Sequence, residues 1–369
     1  MAVISDYLDW RGDLPFSVSP LNEVDCYLLC KLVDPDCIGI LPEAGFLSLG
    51  EATARYFARE PGDKLGVMGS RLLLPVLRRL PETVRFRDLR LGNYVRRTDD
   101  ARDEQFSALT VLLPDGTRFV TYRGTDDTLA AWREDLLLSV RDVVGSQEAA
   151  ARYLLAAAAE AGGPLWVGGH SKGGNLAVYA ALRAPRDVQD RLAAVYNYDG
   201  PGFRTNLLAT PGYLRIRPRV HTLASQHTMT AKLLCHEPCI DIVSSTRSGV
   251  SAHDGLRWEV LGTRFVRCAE FSVASKALDA ALDDVRRDMG DAGWEAFISG
   301  VFDVLAATGA VTLSDLTAHK LRQAVTIARE LKQTPAVYRF FLSLAGQTTK
   351  HTLLGAARTV PKRFRRGGR

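Results

Sequence analysis

Residues 168–174 read GGHSKGG, so that a single hydroxyl, that of Ser171, stands among four glycines. The apolar run PLWV (164–167) precedes this stretch, and NLAVYAALRA (175–184) follows it. The first run is typical of a buried strand and the second of a helix. Because a simple connection needs one conformationally free residue rather than four, the pattern predicts a sharp and crowded strand-to-helix turn.

Within this turn, residues 169–173 fit Gly-x-Ser-x-Gly, a motif that presents a serine between a strand and a helix. The backbone of such a serine is strained, and side chains two positions away on either side would collide with the neighbouring elements. The hydroxyl stands at a helix N-terminus, where the helix dipole favours a developing oxyanion. The motif therefore predicts that Ser171 is a nucleophile, with an ordinary turn serine as the alternative.

A serine nucleophile needs hydrogen-bond donors for the oxyanion. One is the backbone N–H that follows the serine, here that of Lys172, and the other comes from a loop after an earlier strand. Arg123-Gly124-Thr125 ends a strand predicted at 118–122, and Gly124 permits a close backbone approach. Thr125 is therefore the second predicted donor, through its N–H and its hydroxyl. A plain strand-ending turn is the alternative.

The general base is expected to be a histidine after the serine, because this architecture has the chain order serine, acid, histidine. His253 lies in SGVSAHDGLRW (248–258), a stretch of small and turn-forming residues where a mobile base would be placed. We predict His253 as the base and keep His227 as the second choice. His319 and His351 fall in a region of helical pattern.

Three carboxylates are candidates for the acid that orients the base. Asp199 ends the predicted strand AAVYNY (193–198) and precedes Gly-Pro-Gly, so it is expected at the carboxyl edge of the sheet, where Ser171 also lies. Asp241, in the apolar run CIDIV (239–243), and Glu237 remain alternatives. We predict Asp199.

The middle of the chain alternates between strand and helix patterns. Residues 106–122 predict a hairpin that turns at Pro114-Asp115-Gly116. PLWVG (164–168), AAVYNY and RVHTLAS (219–225) predict buried strands separated by helices. This alternation favours a mostly parallel sheet covered on both faces. With the Gly-x-Ser-x-Gly turn, it predicts an α/β-hydrolase fold with a mostly parallel central sheet.

Helical patterns occupy both ends of the chain. Residues 22–33 have apolar residues at helical spacing, Ser48 with Glu51 forms a capping box, and a helix over 70–80 is expected to be kinked or interrupted at Pro75. From about residue 270 onward only helical patterns occur. We predict an α/β-hydrolase domain at 1–268 that includes the helical N-terminal segment, a C-terminal helical region at 269–357 and a basic, disordered tail at 358–369.

The composition is that of a soluble globular protein, with 46% hydrophobic and 24% charged residues. No apolar run is long enough to span a bilayer, and residues 1–15 lack the basic start and apolar core of a signal peptide. The six cysteines form no regular framework of the secreted kind. The run CHEPC (235–239) lacks a paired Cys-x-x-Cys, so no metal or cofactor is predicted. We expect a cytoplasmic protein.

The net charge of +5 comes from the C-terminus. Residues 358–369 read RTVPKRFRRGGR, with six basic residues and no acidic one, so the rest of the chain has a net charge of −1. Such a tail can contact an anionic membrane surface, and a solubilising end is the alternative. Nucleic acid is not the expected partner.

Several motifs together resemble those of the class 3, fungal-type lipases: Tyr-Arg-Gly-Thr (122–125), Trp132 with Asp135-Leu136, and Gly-His-Ser-Lys-Gly-Gly (169–174). More closely, the chain resembles an uncharacterised bacterial family of lipase-like α/β-hydrolases. The likeness lies in an opening DYLDWRGDLPF with NEVD, in YNYDGPGF (196–203), and in a late His-Asp followed by Trp. It spans most of residues 5–260.

The resemblance implies Ser171 as nucleophile, His253 as base, and Thr125 and Lys172 as oxyanion donors. In the fungal-type lipases the acid follows the strand that matches RVHTLAS, but QHTMTAKLL (226–234) holds no carboxylate. YDGPGF instead resembles the pancreatic-type lipases, in which an Asp before a Pro/Gly turn is the acid. This supports Asp199, with a serine–histidine dyad as the alternative.

The predicted activity is hydrolysis of a carboxylic ester, on a small-molecule or lipid substrate, by Ser171, His253 and Asp199. The alternative is a catalytically weak or inactive protein of the same fold that acts by binding, which the displaced acid would favour.

Overall fold

The computed structural model describes residues 1–59, 69–99, 104–204, 207–232, 234–236 and 239–318, together with residues 326, 327, 329 and 337. The predicted basic tail at 358–369, His319, His351 and Glu237 lie outside the described residues.

A sheet of eight strands forms the centre of the described chain, and its strands lie side by side in chain order. The first four pair antiparallel, and the fourth to the eighth pair parallel. This confirms the predicted α/β class and the mostly parallel central sheet. A further two-stranded pair lies outside it. The strands are β1 (Phe46–Ser48), β2 (Arg90–Asp99), β3 (Glu104–Leu112), β4 (Arg118–Tyr122), β5 (Leu165–His170), β6 (Leu192–Tyr198), β7 (Val220–Ser225), β8 (Asp241–Val243), β9 (Val260–Leu261) and β10 (Arg264–Phe265).

Helices precede, connect and follow these strands. Short 3₁₀ turns occur at Leu80–Glu82, Leu207–Ala209, Arg217–Arg219, Gly249–His253 and Gly255–Arg257. The α-helices of the described residues are α1 (Ile4–Arg11), α2 (Glu23–Lys31), α3 (Leu49–Ala58), α4 (Leu73–Arg79), α5 (Leu129–Leu137), α6 (Gly145–Ala159), α7 (Lys172–Arg183), α8 (Arg186–Arg191), α9 (Pro211–Ile216), α10 (Val273–Ala306) and α11 (Leu313–Ala318).

The two faces of the sheet belong to two different apolar cores, because successive strand side chains point in opposite directions. On β4, Phe119 belongs to the core shared with the N-terminal helices, whereas Val120 and Tyr122 belong to the core shared with α6 and α7. On β6, Tyr196 and Val195 divide in the same way. Because β4 to β8 run parallel, their carboxyl ends lie at one edge of the sheet.

Capping accounts for the first helices. Asn22 Oδ1 accepts hydrogen bonds from the first-turn N–H groups of α2, and Ser48 Oγ accepts one from Glu51 N at 3.2 Å. The predicted capping box at Ser48 is only half formed, because the Glu51 carboxylate pairs with Arg55 instead. The expected kink at Pro75 is also wrong. Helix α4 begins at Leu73, so Pro75 lies in the first turn, where a missing N–H leaves no bond unmade.

The C-terminal part packs onto the α/β core through α10. This helix is interrupted at Gly290, whose φ of 66° is outside the helical region. Trp294, Phe297 and Ile298 of α10 share a buried apolar cluster with Leu129 and Leu137 of α5. No helix of the described residues is long and apolar enough to cross a membrane.

Candidate active site

Ser171 lies between β5 and α7, as its motif predicts. Its backbone has φ 58° and ψ −133°, in the left-handed region that a residue with a side chain rarely occupies. The Ser171 N–H donates to Tyr198 O at 2.9 Å, which ties this turn to the end of β6. A Cβ atom on Gly173 would lie 2.1 Å from Tyr122 O, so the glycine allows α7 to start directly against β4.

The loop after β4 packs directly on this turn. A Cβ atom on Gly124 would lie 2.8 Å from His170 O and 3.2 Å from Ser171 Cβ, so a side chain at position 124 would displace the nucleophile. Thr125, the next residue, lines the same pocket as Ser171. Its hydroxyl donates to the carboxylate of Asp135 on α5, which leaves the Thr125 N–H as the group to consider for an oxyanion.

Lys172 begins α7, and its side chain is turned away from the pocket into the core. The Nζ atom donates to Glu134 Oε2 at 2.9 Å and to two oxygens of Gln105, and the side chain is fully buried. Only the backbone N–H of Lys172 can therefore serve an oxyanion. As the first N–H of a helix, it has no partner within the helix.

Asp199 lies just beyond the end of β6, at the same edge of the sheet. It is fully buried and has a positive φ of 55°, and its N–H donates to Leu223 O at 2.7 Å. The carboxylate oxygen Oδ2 lies 2.7 Å from His253 Nδ1. Thr230 Oγ1 donates to the Asp199 carbonyl oxygen at 2.7 Å and thereby holds the same turn from the loop after β7.

The acid candidate Asp241 does not take this position. Asp241 lies on β8 with its side chain 56% exposed, and it pairs with Arg267 at 2.9 Å. Glu237 lies outside the described residues. Of the two predicted acids that the structure describes, Asp199 is the one that lies against His253.

His253 ends a 3₁₀ turn, Gly249–His253, where the sequence predicted a loop of small residues. His170, the residue before the nucleophile, contacts it twice. The Nε2 atom of His170 lies 2.8 Å from the carbonyl oxygen of His253, and the two ring centroids are 4.5 Å apart. Burial lowers the pKa of His170 well below its ordinary value, so this imidazole is neutral and donates from Nε2 to the carbonyl.

Asp135 is a second, half-buried acid that lines the pocket with Ser171. Burial raises its pKa to about 6, although attraction to Lys172 and the hydrogen bond from Thr125 act in the opposite direction. Its Oδ1 atom is buried and makes no hydrogen bond within the described residues. The sequence marked Asp135 as part of a motif without giving it a role.

A pocket of about 250 Å³ opens above these residues. Arg123 Nη1 and Trp132 Nε1, on two lining residues, are buried donors without a hydrogen-bond partner in the described structure, so a substrate oxygen could accept from them. The residues that line the pocket are Lys31, Asp34, Gly69, Leu73, Arg123, Gly124, Thr125, Asp126, Asp127, Trp132, Asp135, His170, Ser171, Met229, Thr230, Gly249, Val250 and His253.

Sequence reasoning gave no role to His170, Thr230 or Glu134, which support His253, Asp199 and Lys172 respectively. His170 had a signal, since it lies inside the nucleophile motif. Thr230 and Glu134 had none, because each reaches its partner from an element distant in sequence.

The run CHEPC (235–239) is open to solvent at both cysteines. Among the described residues, no group of three or more His, Cys, Asp or Glu side chains is arranged to hold a metal ion.

A family model described as Mbeg1-like matches residues 80–303, which is more than half of the chain. The matched segment contains Thr125, Ser171, Asp199 and His253. Neither the curated proteins nor the solved structures include one that matches the chain.

Proposed function

The chain belongs to the Mbeg1-like family, which is lipase-like, and we propose that it is a serine hydrolase that cleaves carboxylic esters. The proposal includes an α/β-hydrolase fold related to that of the class 3 lipases. The observation that carries it is the 2.7 Å contact between His253 Nδ1 and the buried Asp199 carboxylate, beside a pocket lined by both His253 and Ser171.

Acylation starts from this contact. Because Asp199 accepts a hydrogen bond from Nδ1–H of His253, the unprotonated nitrogen is Nε2, which can take the Ser171 proton as the hydroxyl attacks the ester carbonyl. Negative charge develops on the carbonyl oxygen and is stabilised by the N–H groups of Thr125 and Lys172. His253 then gives its proton to the departing alcohol, and the acyl group remains on Ser171.

Deacylation repeats these steps with water. His253 takes a proton from the water as it attacks the acyl carbonyl, the bond to Ser171 Oγ breaks, and the proton returns to Ser171 while the carboxylic acid leaves. The Asp199 carboxylate stabilises the imidazolium that forms twice in the cycle.

The substrate we propose is a small-molecule or lipid ester. Leu73, Met229 and Val250 give the pocket an apolar side, and Met229 and Val250 are 41% and 54% exposed, which suits an acyl group that enters from solvent or from a lipid. Contact of the 358–369 tail with anionic membranes is a further proposal that rests on sequence alone.

The test of the nucleophile uses p-nitrophenyl esters of increasing chain length and a fluorophosphonate probe. Ser171→Ala should fold with wild-type stability, because Ser171 Oγ is not part of the apolar core, and it should lose both turnover and labelling. Turnover that persists in this variant would refute the proposal. A protein that folds but neither turns over nor labels in its wild-type form would favour the binding-module alternative.

The acid is tested by a pair of conservative variants. Asp199→Asn should lower kcat by several orders of magnitude, about 10⁴-fold in a comparable triad, because the amide no longer fixes the His253 tautomer. Asp241→Asn, which loses one exposed ion pair with Arg267, should leave kcat near the wild-type value. A larger loss in Asp241→Asn would show that the acid is misassigned.

A further inference from the structure

The side chain that follows the nucleophile is a buried cation with three acceptors. Lys172 Nζ donates to Gln105 O at 3.0 Å, to Gln105 Oε1 at 2.9 Å and to Glu134 Oε2 at 2.9 Å. An ammonium has three N–H groups, so all of them are used. The exposed fractions of the Lys172 and Glu134 side chains are 0% and 1%.

Glu134 in turn is held by backbone groups of two other elements. Its Oε2 atom accepts from Gln105 N on β3 at 3.1 Å, and its Oε1 atom accepts from Ser146 N at the start of α6 at 3.0 Å. Carboxylate and ammonium are therefore both fully hydrogen-bonded, and the pair links α5, α6, α7 and β3 at one point.

Stability alone does not account for a charged pair at this place. Burial by itself would lower the pKa of Lys172, but attraction to Glu134 and Asp135 outweighs it and raises the pKa, so the side chain is charged. Removing two charges from water costs most of what their attraction returns, and an apolar pair of similar volume is often as stable. An apolar pair would not fix the position of the Lys172 side chain, as its hydrogen bonds to Glu134 and Gln105 do.

The next residue on α5, Asp135, constrains the other residue to which we assign an oxyanion donor. Its carboxylate accepts a hydrogen bond from the Thr125 hydroxyl. The adjacent carboxylates of Glu134 and Asp135 therefore hold Lys172 and Thr125, the two residues to which we assign oxyanion donors. We propose that Glu134 is a positioning residue: by fixing the Lys172 side chain, it sets the Lys172 N–H at the distance from the Thr125 N–H that an oxyanion requires. The inference rests on the proposed hydrolase function.

The chain offers a matched control in a second buried ion pair. Arg85 and Asp25 are both 0% exposed, and their contact of 2.5 Å lies among the N-terminal residues rather than in the pocket. Lys172→Met and Arg85→Met each remove one buried cation and keep an unbranched chain in its place. Both variants should have a lower Tm, and the Lys172 N–H is present in both.

Only Lys172→Met should lose kcat, by about 10- to 100-fold with KM unchanged, because a displaced oxyanion donor acts in the transition state and not on bound substrate. Affinity for a trifluoromethyl ketone, which forms a tetrahedral oxyanion on the serine, should fall by the same factor as kcat. All measurements are made below the unfolding transition of each variant.

Wild-type kcat in folded Lys172→Met, or an equal loss in Arg85→Met, would overturn the inference. If Lys172→Met does not fold, Gln105→Met serves instead, because it removes one of the three acceptors of Lys172 Nζ. It should lower kcat by a smaller factor and leave KM unchanged. A wild-type kcat in Gln105→Met would also overturn the inference. Failure of the proposed hydrolase function has a different signature, namely turnover that survives in Ser171→Ala.

Discussion

Burial destabilises the ionised form of Asp135, and attraction to Lys172 and the hydrogen bond from Thr125 only partly offset this effect. Burial raises its pKa from 3.8 to about 6, so the folded chain binds the proton more tightly than the unfolded chain does. Between about pH 4 and pH 6 the folded state therefore holds more protons, and stability falls as the pH rises through this window. Above it, the ionised carboxylate costs the folded state about 2–3 kcal/mol.

Replacement of this carboxyl group should stabilise the protein at neutral and alkaline pH. Asparagine has no charge to bury and can still accept from the Thr125 hydroxyl, so Asp135→Asn should be more stable than wild type by about 2–3 kcal/mol at pH 8. The difference should shrink to well under about 1 kcal/mol near pH 4 and vanish only below about pH 3, where the aspartate is protonated in both states. Denaturant unfolding at the two pH values measures it.

Asp88→Asn is the control for that measurement, since the Asp88 side chain is 67% exposed. Its stability relative to wild type should not depend on pH in the same way. A stability difference for Asp135→Asn that is equal at pH 4 and pH 8 would contradict a raised pKa at this residue.

At the residue scale, the sequence predicts what a local motif encodes. The sharp turn at Ser171 was predicted from its glycines, and the place of Asp199 at the sheet edge from the strand end and turn around it. The hydrogen bonds of Glu134 could not be predicted, since only the folded chain brings Lys172 and Ser146 to its carboxylate. The sequence also did not predict that the Lys172 side chain points into the core rather than into the pocket.

At the element scale, the strand-to-helix turn holds three elements together by close backbone contact. In Gly173→Ala the new Cβ atom would lie 2.1 Å from Tyr122 O and 2.9 Å from Tyr122 C. Both are backbone atoms of β4 and cannot turn aside as a flexible side chain would. We expect a loss of about 3 kcal/mol in the free energy of unfolding, the upper end of the usual cost of overpacking of about 1–3 kcal/mol, because backbone atoms so close cannot easily relax.

Gly162→Ala is the matched variant for this prediction, because nothing lies within 4 Å of a Cβ atom placed there. Its stability should stay within about 1 kcal/mol of wild type. Denaturant unfolding of both variants decides the matter, and similar stabilities for the two would argue against the packing of α7 on β4.

The elements that the sequence predicted well are those with strong local signals. The hairpin between β3 and β4 and the helix after the nucleophile are examples, although α7 begins at Lys172, three residues earlier than its apolar pattern starts. The short strands β1, β9 and β10 were not predicted. Each has three residues or fewer, too short to show a period, and forms because tertiary packing brings its partner alongside.

At the scale of the whole molecule, α5 contacts both the turn at Ser171 and the C-terminal helix α10. One side carries Glu134 and Asp135 to the nucleophile turn, and Leu129 and Leu137 pack against α10. The sequence predicted a boundary at residues 268 and 269, where the pattern becomes purely helical. A change of pattern along the chain does not reveal whether the later helices have a core of their own or share one.

The shared cluster predicts that α10 and the α/β core unfold together. Ile298 is 0% exposed, so Ile298→Ala should leave a cavity between α10 and α5 and cost about 2–5 kcal/mol. Calorimetry should show a single unfolding transition at a lower temperature than in wild type. The temperature at which kcat begins to fall should drop by the same amount, because α5 unfolds together with α10. Val311→Ala, at a residue 64% exposed, is the control and should change neither. Two separate transitions, with only one of them moved by Ile298→Ala, would show that the C-terminal helices fold independently of the site.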